Sequence, residues 1–216
     1  MELRKFIATT VREHLNEQRL LNEEINNNLV LYHGSSHEFI KFSTKNIGGG
    51  EGNQSFGYGL YFTDNEGVAK FYANMLGGDD GIVYVVKTNS LTLFDWYGKL
   101  DIDTKSKLIN NLKKININEL PIKRMLVKNK VEIIKKPIEE AVDYYPNGKF
   151  LYENLSIIFG SDKLTSEKLS EIGFDGIFYP IGQFLKVGDK THAKGTNYVL
   201  FSGDKINVIN IYKIKK

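Results

Sequence analysis

The chain of 216 residues contains no cysteine, four prolines, one tryptophan and no long apolar run. The lack of cysteine excludes disulfides, thiolate zinc sites and a cysteine nucleophile, and it fits a reducing compartment. The densest apolar run, residues 82–86, is too short to span a bilayer. Because the first residues include Glu2, Arg4 and Lys5 and no apolar stretch of the secretory type, the sequence predicts a cytoplasmic protein.

Composition and element order favour one α+β domain. An apolar fraction of 41% and an aromatic fraction of 12% are typical of a globular chain. Short apolar segments bounded by turn residues predict strands at 29–33, 58–63, 82–87, 175–179, 184–187, 198–201 and 206–211. A helix is expected over 66–76, capped by Asp64 or Asn65, and residues 104–172 are expected to be mostly helical. Strands that cluster late in the chain suggest α+β rather than a doubly wound sheet.

The first 28 residues are expected to form a helical extension before a main domain over 29–216. Apolar side chains recur there near helical spacing, at Leu3, Phe6, Ile7, Val11, Leu15, Leu21 and Ile25. Three asparagines at 26–28 then interrupt the pattern. An amphipathic helix of this kind either packs on the body of the protein or docks a partner.

The net charge of +3 hides a strong asymmetry. Residues 104–136 hold ten lysines and arginines but only two acids, Glu119 and Glu132, so the rest of the chain is net acidic. Such a segment can track a phosphate backbone, or it can be a solvated lysine-rich surface. It contains no aromatic residue and therefore offers no base-stacking platform of its own.

A glycine-rich loop and a glycine turn stand between the first two predicted strands. The loop at 48–52 is followed by no Gly-Lys-Ser/Thr, so it is not a P-loop, and it completes no dinucleotide fingerprint. A flexible flap and a phosphate cradle are its two interpretations. The turn Gly57-Tyr58-Gly59 lets the backbone enter a strand with little steric cost.

His33, Tyr61 and Tyr72 are the candidate ligand-binding side chains. His33 ends a strand and precedes Gly34, whose N–H and C=O a ligand can approach. Each of the three has a structural interpretation, a satisfied histidine or a core tyrosine. Together, two aromatic faces and an imidazole can also grip a flat polar ligand by stacking and hydrogen bonding.

In sequence order, these motifs resemble those of ADP-ribosyltransferase domains. The matching segments are Tyr32-His33-Gly34-Ser35, Gly57-Tyr58-Gly59-Leu60-Tyr61-Phe62-Thr63-Asp64, Ala69-x-x-Tyr72-Ala73 and the later Asn197-Tyr198-Val199-Leu200-Phe201. The chain is most similar to the class shared by diphtheria toxin and the poly(ADP-ribose) polymerases, and within it to small phage and polyvalent-protein transferases. The resemblance covers residues 29–212. It implies a split antiparallel β-sheet core with flanking helices, NAD+ as the substrate, and no metal.

The resemblance assigns roles to matching positions. His33 would hydrogen-bond the adenosine ribose, and Gly34 would bind the nicotinamide carboxamide through its backbone. Tyr61 and Tyr72 would sandwich the nicotinamide ring. Ala69 stands where many family members have a serine that adds a carboxamide hydrogen bond, so that bond is absent here.

Three further polar residues are candidate NAD+ contacts by the same resemblance. Ser35 completes the first motif. Gln54 and Ser55 lie where phage-type relatives often carry a polar residue before the glycine turn.

Asn197 is the largest departure from the family pattern. Related enzymes often have a glutamate there, which holds a ribose hydroxyl and stabilises the oxocarbenium-like centre formed as nicotinamide leaves. An amide keeps the hydrogen bond but supplies no negative charge. The predicted catalytic set is therefore His33, Tyr61 and Asn197, with Asp189 or another acid of 188–196 as a possible source of charge.

The resemblance implies mono-ADP-ribosyl transfer from NAD+ to a macromolecule, with protein as the default acceptor and RNA or DNA second because of the basic segment. Loss of the carboxylate argues against chain elongation to a polymer. Two alternatives stay open. One is an NAD+ glycohydrolase, and the other is a protein that binds NAD+ or ADP-ribose without turnover.

Overall fold

The computed structural model describes residues 29–47, 54–75, 80–125, 131–182 and 194–215. Within these ranges the strands are β1 (Val30–Ser35), β2 (Leu60–Thr63), β3 (Asp80–Thr88), β4 (Leu93–Asp95), β5 (Glu119–Met125), β6 (Val131–Pro137), β7 (Gly176–Pro180), β8 (Thr196–Leu200) and β9 (Ile206–Lys215). The α-helices are α1 (Glu66–Met75), α2 (Ile102–Lys114), α3 (Ile138–Tyr144), α4 (Gly148–Phe159) and α5 (Asp162–Glu171), and Thr44–Asn46 is a short 3-10 helix.

The fold is α+β, as predicted. Seven strands form one sheet in the order β4-β7-β8-β2-β1-β3-β9, and β5 and β6 form a separate hairpin. Every neighbouring pair is antiparallel except β4 and β7, which are parallel. The predicted extension over 1–28, the glycine run at 48–52, the strand at 184–187 and Asp189 lie outside the described residues.

The large sheet opens between β1 and β2. These strands share a single registered pair, Tyr32 with Thr63, whereas β1 pairs with β3 over six residues from Val30 to Ser35. On its other side β2 pairs with β8 along its whole length. Two well-paired half-sheets therefore meet at one short contact and diverge beyond it.

Helix α1 packs tightly over β1 and β3 because the contact residues are small. Ala69 and Ala73 are buried against Val83. A Cβ added to Gly34 would lie 2.0 Å from the carbonyl oxygen of Ala69 and 2.7 Å from the amide nitrogen of Ala73. The helix begins after Asn65, whose Oδ1 accepts a hydrogen bond from the Val68 amide at 3.2 Å, as the predicted cap requires.

The principal hydrophobic core fills the space between the sheet and helices α2 to α5. N-cap side chains define where three of these helices begin. Asp101, Asn147 and Ser161 each accept a hydrogen bond from an amide in the first turn of their helix. Gly160 ends α4 with φ of 87°, a conformation that favours glycine. Leu108 and Leu112 on one face of α2 are completely buried. This core fixes β7 and β8, which form one side of the opening in the sheet.

Among the described residues of 104–172 there are four helices, but also the hairpin of β5 and β6, which the sequence analysis did not predict. Leu120 and Ile122 of β5 are buried, whereas β6 is largely exposed and contains one glutamate and two lysines beside its apolar residues. Asn154 of α4 accepts a hydrogen bond from the Lys123 amide at 3.3 Å and so ties the hairpin to the helices. The strands therefore depend on a tertiary contact, because their own sequence carries a weak strand signal.

Replacing Gly34 by alanine should lower the free energy of unfolding by about 1–3 kcal/mol, because the new methyl group must push α1 away from β1. The matched control is Gly67→Ala in the exposed first turn of the same helix, where the nearest atom, Asn65 Oδ1, lies 3.1 Å from the added Cβ. The control should change stability by less than about 1 kcal/mol. Urea denaturation measures both, and equal effects would contradict the packing argument.

Candidate active site

A cleft of about 200 Å³ lies where β1 and β2 diverge, with α1 along one side. Its lining consists of Tyr32, His33, Gly34, Phe56, Tyr61, Phe62, Thr63, Val68, Ala69, Tyr72, Tyr179 and Asn197. Ligand pockets for whole drug-sized molecules are larger, roughly 300–1,000 Å³. The cleft is therefore sized for one ring-bearing part of a larger ligand.

No aspartate, glutamate, lysine or arginine is among these lining residues, which all belong to the described part of the chain. The lining combines aromatic faces with a few hydrogen-bonding groups. A neutral, mostly apolar cleft with convergent polar groups is the usual character of a small-molecule site.

His33 links the two diverging strands through its side chain. Nδ1 lies 2.8 Å from the carbonyl oxygen of Tyr61, and because a carbonyl only accepts, Nδ1 carries the hydrogen. Burial among aromatic rings, including Phe42 at 5.2 Å and Phe62 at 5.7 Å between centroids, lowers the pKa of His33 below its ordinary value. The imidazole is then neutral near pH 7, and Nε2 is left as an acceptor for a ligand hydroxyl.

The backbone of Gly34 is directed towards the opening. Thr88 donates its amide hydrogen to Leu29 O at 3.0 Å, so Leu29 and Thr88 form a bonded pair. Bonded and non-bonded pairs alternate along antiparallel strands, which makes the pair of Gly34 with Val83 a non-bonded one. The N–H and C=O of Gly34 therefore point away from β3, to the side where β2 has separated from β1.

Tyr61 is held in place by the glycine turn that precedes β2. Its hydroxyl donates to the carbonyl oxygen of Gly57 at 2.9 Å and accepts from the amide of Phe56 at 3.2 Å. Tyr152 of α4 supports the same turn, because its hydroxyl accepts from the Tyr58 amide at 3.0 Å. Gly57 has φ of 91°, and an added Cβ would lie 2.9 Å from the Tyr152 ring. The ring of Tyr61 is thus pre-positioned before any ligand arrives.

Tyr72 stands on α1 and faces the same cleft. Its side chain is 40% exposed, whereas Ala69, one turn earlier on the helix, is buried. The structure therefore brings together a fixed tyrosine from β2 and a freer one from α1. Ala69 adds only a methyl group to the lining, consistent with the absence of a serine hydroxyl at that position.

Asn197 lies on β8 directly between two cleft-lining residues of neighbouring strands. It pairs with Thr63 of β2 on one side and with Tyr179 of β7 on the other. Among the residues that the structure describes, its carboxamide has no hydrogen-bond partner. The amide is therefore available to a ligand.

The remaining predicted contacts stand outside the cleft. Ser35 donates its hydroxyl hydrogen to the carbonyl oxygen of His37 at 2.7 Å. The carbonyl of Gln54 accepts from the Gly57 amide at 3.2 Å, and Ser55 is exposed. None of the three is among the lining residues. Ser35 and Gln54 thus shape the backbone next to the cleft.

Phe56 and Tyr179 are among the lining residues that the sequence analysis missed. Their rings stack in parallel, with centroids 3.8 Å apart and an interplanar angle of 10°. Trp96 and Tyr97 pack edge-on against Phe56. Phe56 directly precedes the glycine turn before β2, so its position in the sequence could have indicated that it lines the cleft. The sequence held no such sign for Tyr179, since only the pairing of β7 with β8 places it next to Asn197.

Helix α3 pairs with three of the ten lysines and arginines of the basic segment. Lys105 pairs with Asp143 at 2.7 Å, Lys136 with Glu140 at 2.6 Å, and Lys113 with Glu139. Lys107 donates to the carbonyl oxygen of Gly173 at 2.6 Å, and burial lowers its pKa. Acids just beyond residue 136 thus compensate for part of the positive charge.

The described residues contain no group of three or more His, Asp or Glu residues that could hold a metal ion. They also contain no helix that is both long and apolar enough to cross a membrane.

The pH dependence of stability tests the state of His33. Its folded pKa lies below the ordinary value of 6.5, so the unfolded chain binds the proton more readily, and the free energy of unfolding should fall as pH drops below about 6.5. His33→Gln removes this titration and should show a smaller fall over the same interval. Urea denaturation at stepped pH gives both profiles. Parallel profiles would show that folded His33 titrates normally.

Comparison with known proteins adds an independent result. A family model described as ADP-ribosyltransferase in polyvalent proteins matches residues 26–210, a range that includes every residue of the cleft. No match was found among curated proteins or among solved structures. Because the matched range covers most of the 216 residues, the chain belongs to the family of ADP-ribosyltransferases in polyvalent proteins.

Proposed function

We propose that this chain is an NAD+-dependent mono-ADP-ribosyltransferase. It would break the bond between nicotinamide and C1′ of the ribose and transfer one ADP-ribose to a macromolecule. ADP-ribosyltransferase domains use NAD+ as their substrate. The observation that carries the proposal is the neutral aromatic cleft in which His33, Gly34, Tyr61 and Tyr72 converge.

The two tyrosines suit the charge of the nicotinamide ring in NAD+. The ring is a flat cation, and a cation is attracted to the faces of aromatic rings. Tyr61 offers a fixed face, and Tyr72 offers one from the exposed side of the cleft, on α1. After bond cleavage nicotinamide is neutral and loses this attraction, which favours its release.

Hydrogen bonds orient the rest of the ligand. A primary carboxamide carries one acceptor and two donor hydrogens, which match the N–H and C=O that Gly34 directs into the opening. Nε2 of neutral His33 is an acceptor suited to a hydroxyl of the adenosine ribose. These contacts leave C1′ of the nicotinamide ribose on the side of Asn197.

The reaction needs no nucleophile from the protein. The bond between C1′ and the nicotinamide nitrogen breaks with its electron pair moving to that nitrogen, and positive charge develops on the ribose. The acceptor atom then attacks C1′ and loses its proton. Asn197 can hydrogen-bond a ribose hydroxyl but cannot oppose the developing charge as a carboxylate does. We therefore propose transfer of a single unit, with the rate depending on orientation in the cleft.

A protein side chain is the default acceptor. RNA or DNA remains the second candidate because of the basic segment at 104–136. The pairing of Lys105, Lys113 and Lys136 with acids of α3 reduces the charge that the segment can offer to phosphates. The ion pairs thus favour a protein acceptor over a nucleic acid.

Because Asn197 is neutral, a second candidate function is NAD+ binding without turnover. An NAD+ glycohydrolase, with water as the acceptor, would use the same cleft. The fate of labelled NAD+ separates the three.

Incubation of the protein with adenine-labelled NAD+, with and without cell lysate, should leave label covalently attached to a macromolecule. Protease digestion should release that label, whereas nuclease digestion should not. Free ADP-ribose alone would indicate a glycohydrolase, and intact NAD+ with measurable binding would indicate a non-catalytic protein. The absence of both NAD+ binding and NAD+ turnover would refute the proposed function.

Removal of one wall of the aromatic slot should weaken binding. Tyr72→Ala should raise the dissociation constant for NAD+ by the equivalent of about 1–2 kcal/mol, because a stacking partner and its contact area are lost. Phe150→Ala is the matched control, since Phe150 is 41% exposed on α4 and does not line the cleft. Calorimetry measures both. An unchanged dissociation constant for Tyr72→Ala would contradict the stacking arrangement.

A further inference from the structure

Tyr179 is a tyrosine of the cleft to which neither the sequence nor the family resemblance assigns a role. Its side chain is 7% exposed and lines the cleft. Among the described residues, its hydroxyl has no hydrogen-bond partner. The hydroxyl is not one of the buried side-chain atoms that lack a partner, so it reaches the open space of the cleft although the ring is buried. It can therefore contact a ligand that enters the cleft.

Strand register places Tyr179 beside Asn197. The two residues are direct cross-strand partners on β7 and β8, and Asn197 is in turn the partner of Thr63 on β2. Directly opposed residues project from the same face of a sheet with their Cβ atoms about 4.5–5.5 Å apart. The three side chains thus form a row across the floor of the cleft.

Within this row, two groups are open to a ligand. The hydroxyl of Thr63 already donates to the Thr196 carbonyl at 3.3 Å and accepts from the Asn65 amide at 3.2 Å. The Asn197 amide and the Tyr179 hydroxyl have no such partners in the described chain. The phenol reaches farther from the sheet than the shorter amide, so the two polar ends flank a group that rests on Asn197.

The hydroxyl of Tyr179 acts as a neutral group. Burial, with a smaller contribution from neighbouring Tyr61 and Tyr72, raises the pKa of Tyr179 far above its ordinary value. The phenol keeps its proton and can donate a hydrogen bond while Asn197 accepts or donates another. The parallel stack of Phe56 on Tyr179 holds the ring in one orientation.

We propose that Tyr179 is a substrate-binding residue that, together with Asn197, holds the adjacent 2′- and 3′-hydroxyls of the nicotinamide ribose. The inference rests on the proposed function. Each hydroxyl of a vicinal diol is both a donor and an acceptor, which matches an amide beside a phenol. The carboxamide of nicotinamide is not the partner of Tyr179, because Gly34 lies on β1, on the other side of the sheet opening.

The pairing of Tyr179 with Asn197 determines what Tyr179 contributes to the reaction. A related carboxylate would hold the diol by charge, whereas here two neutral groups divide that task. Tyr179 positions C1′ for attack without contributing charge to the transition state. Removal of the Tyr179 hydroxyl should therefore weaken binding of the nicotinamide ribose.

The test compares NAD+ with two analogues that lack the 2′- or the 3′-hydroxyl of the nicotinamide ribose. Dissociation constants are measured by calorimetry for the unmodified protein, Tyr179→Phe and Tyr97→Phe. Tyr179→Phe keeps the ring and its stack on Phe56 but removes the hydroxyl. Tyr97→Phe is the matched control, because Tyr97 packs on the same Phe56 ring, at 6.4 Å between centroids, and does not line the cleft.

Tyr179→Phe should weaken NAD+ binding by about two- to tenfold, the effect of one neutral hydrogen bond. For one of the two deoxy analogues, the unmodified protein and Tyr179→Phe should bind equally well, because the hydroxyl that Tyr179 contacts is already missing. Tyr97→Phe should bind all three ligands like the unmodified protein. Thermal unfolding confirms that both variants fold.

Three results would overturn the inference. One is unchanged NAD+ binding by Tyr179→Phe. Another is an equal loss for NAD+ and both deoxy analogues, which would show a structural effect. The third is an equal loss in Tyr97→Phe. If the unmodified protein did not bind NAD+ at all, the proposed function itself would fail, and that outcome is distinct from the other three.

Discussion

The hydrogen bond from Nδ1 of His33 to the carbonyl oxygen of Tyr61 joins β1 and β2 where their backbones separate. Two continuous strands would satisfy that carbonyl with a backbone amide and would leave no cleft. A side chain of imidazole length bridges the wider gap instead. The bond also selects the tautomer of His33, so that one ring nitrogen holds the sheet and the other is left as an acceptor. The opening and its chemistry thus arise from one contact.

The opening is rigid on three sides. On the β1 side, α1 lies close enough to Gly34 that no side chain fits between them. On the β2 side, the glycine turn and Tyr152 hold Tyr61 by its hydroxyl. On the β8 side, the large core fixes Asn197 and its neighbours. Preorganised groups lose little entropy when a ligand binds, which suits a site that acts by orientation.

The lining is also free of acidic and basic side chains, which affects ligand binding and catalysis differently. A cationic nicotinamide ring is stabilised by aromatic faces without a formal negative charge. The positive charge that develops on the ribose has no carboxylate among the described lining residues. The geometry therefore supports recognition of NAD+ more strongly than it supports fast turnover. Asn197 and Tyr179 are consistent with a site that orients the ribose through hydrogen bonds.

Much of this arrangement could be predicted from the sequence, because its parts are local. His33 and Gly34 are adjacent on β1, and Tyr61 and Tyr72 flank one strand–helix connection, so two short segments carry these four cleft residues. The α+β class followed from the order of apolar segments. These features need only nearest-neighbour chemistry and short-range periodicity.

The rest depended on pairings that one sequence does not reveal. Tyr179 reaches the cleft only because β7 is in register with β8. The hairpin of β5 and β6 is stabilised by its contact with α4. Its exposed strand, β6, has the sequence of a charged surface segment and so gives little sign of a strand. Three lysines of the basic segment are paired with acids that lie just beyond its end, on α3. Long-range register and charge pairing become visible only in three dimensions.

A crystal structure of the protein with nicotinamide bound tests the central claim most directly, because the product fills the slot and cannot be consumed. We expect the ring between Tyr61 and Tyr72, with its carboxamide at hydrogen-bond distance, about 2.7–3.2 Å, from the N–H and C=O of Gly34. A nicotinamide ring bound away from the two tyrosines, or bound between them without contact to Gly34, would contradict the account.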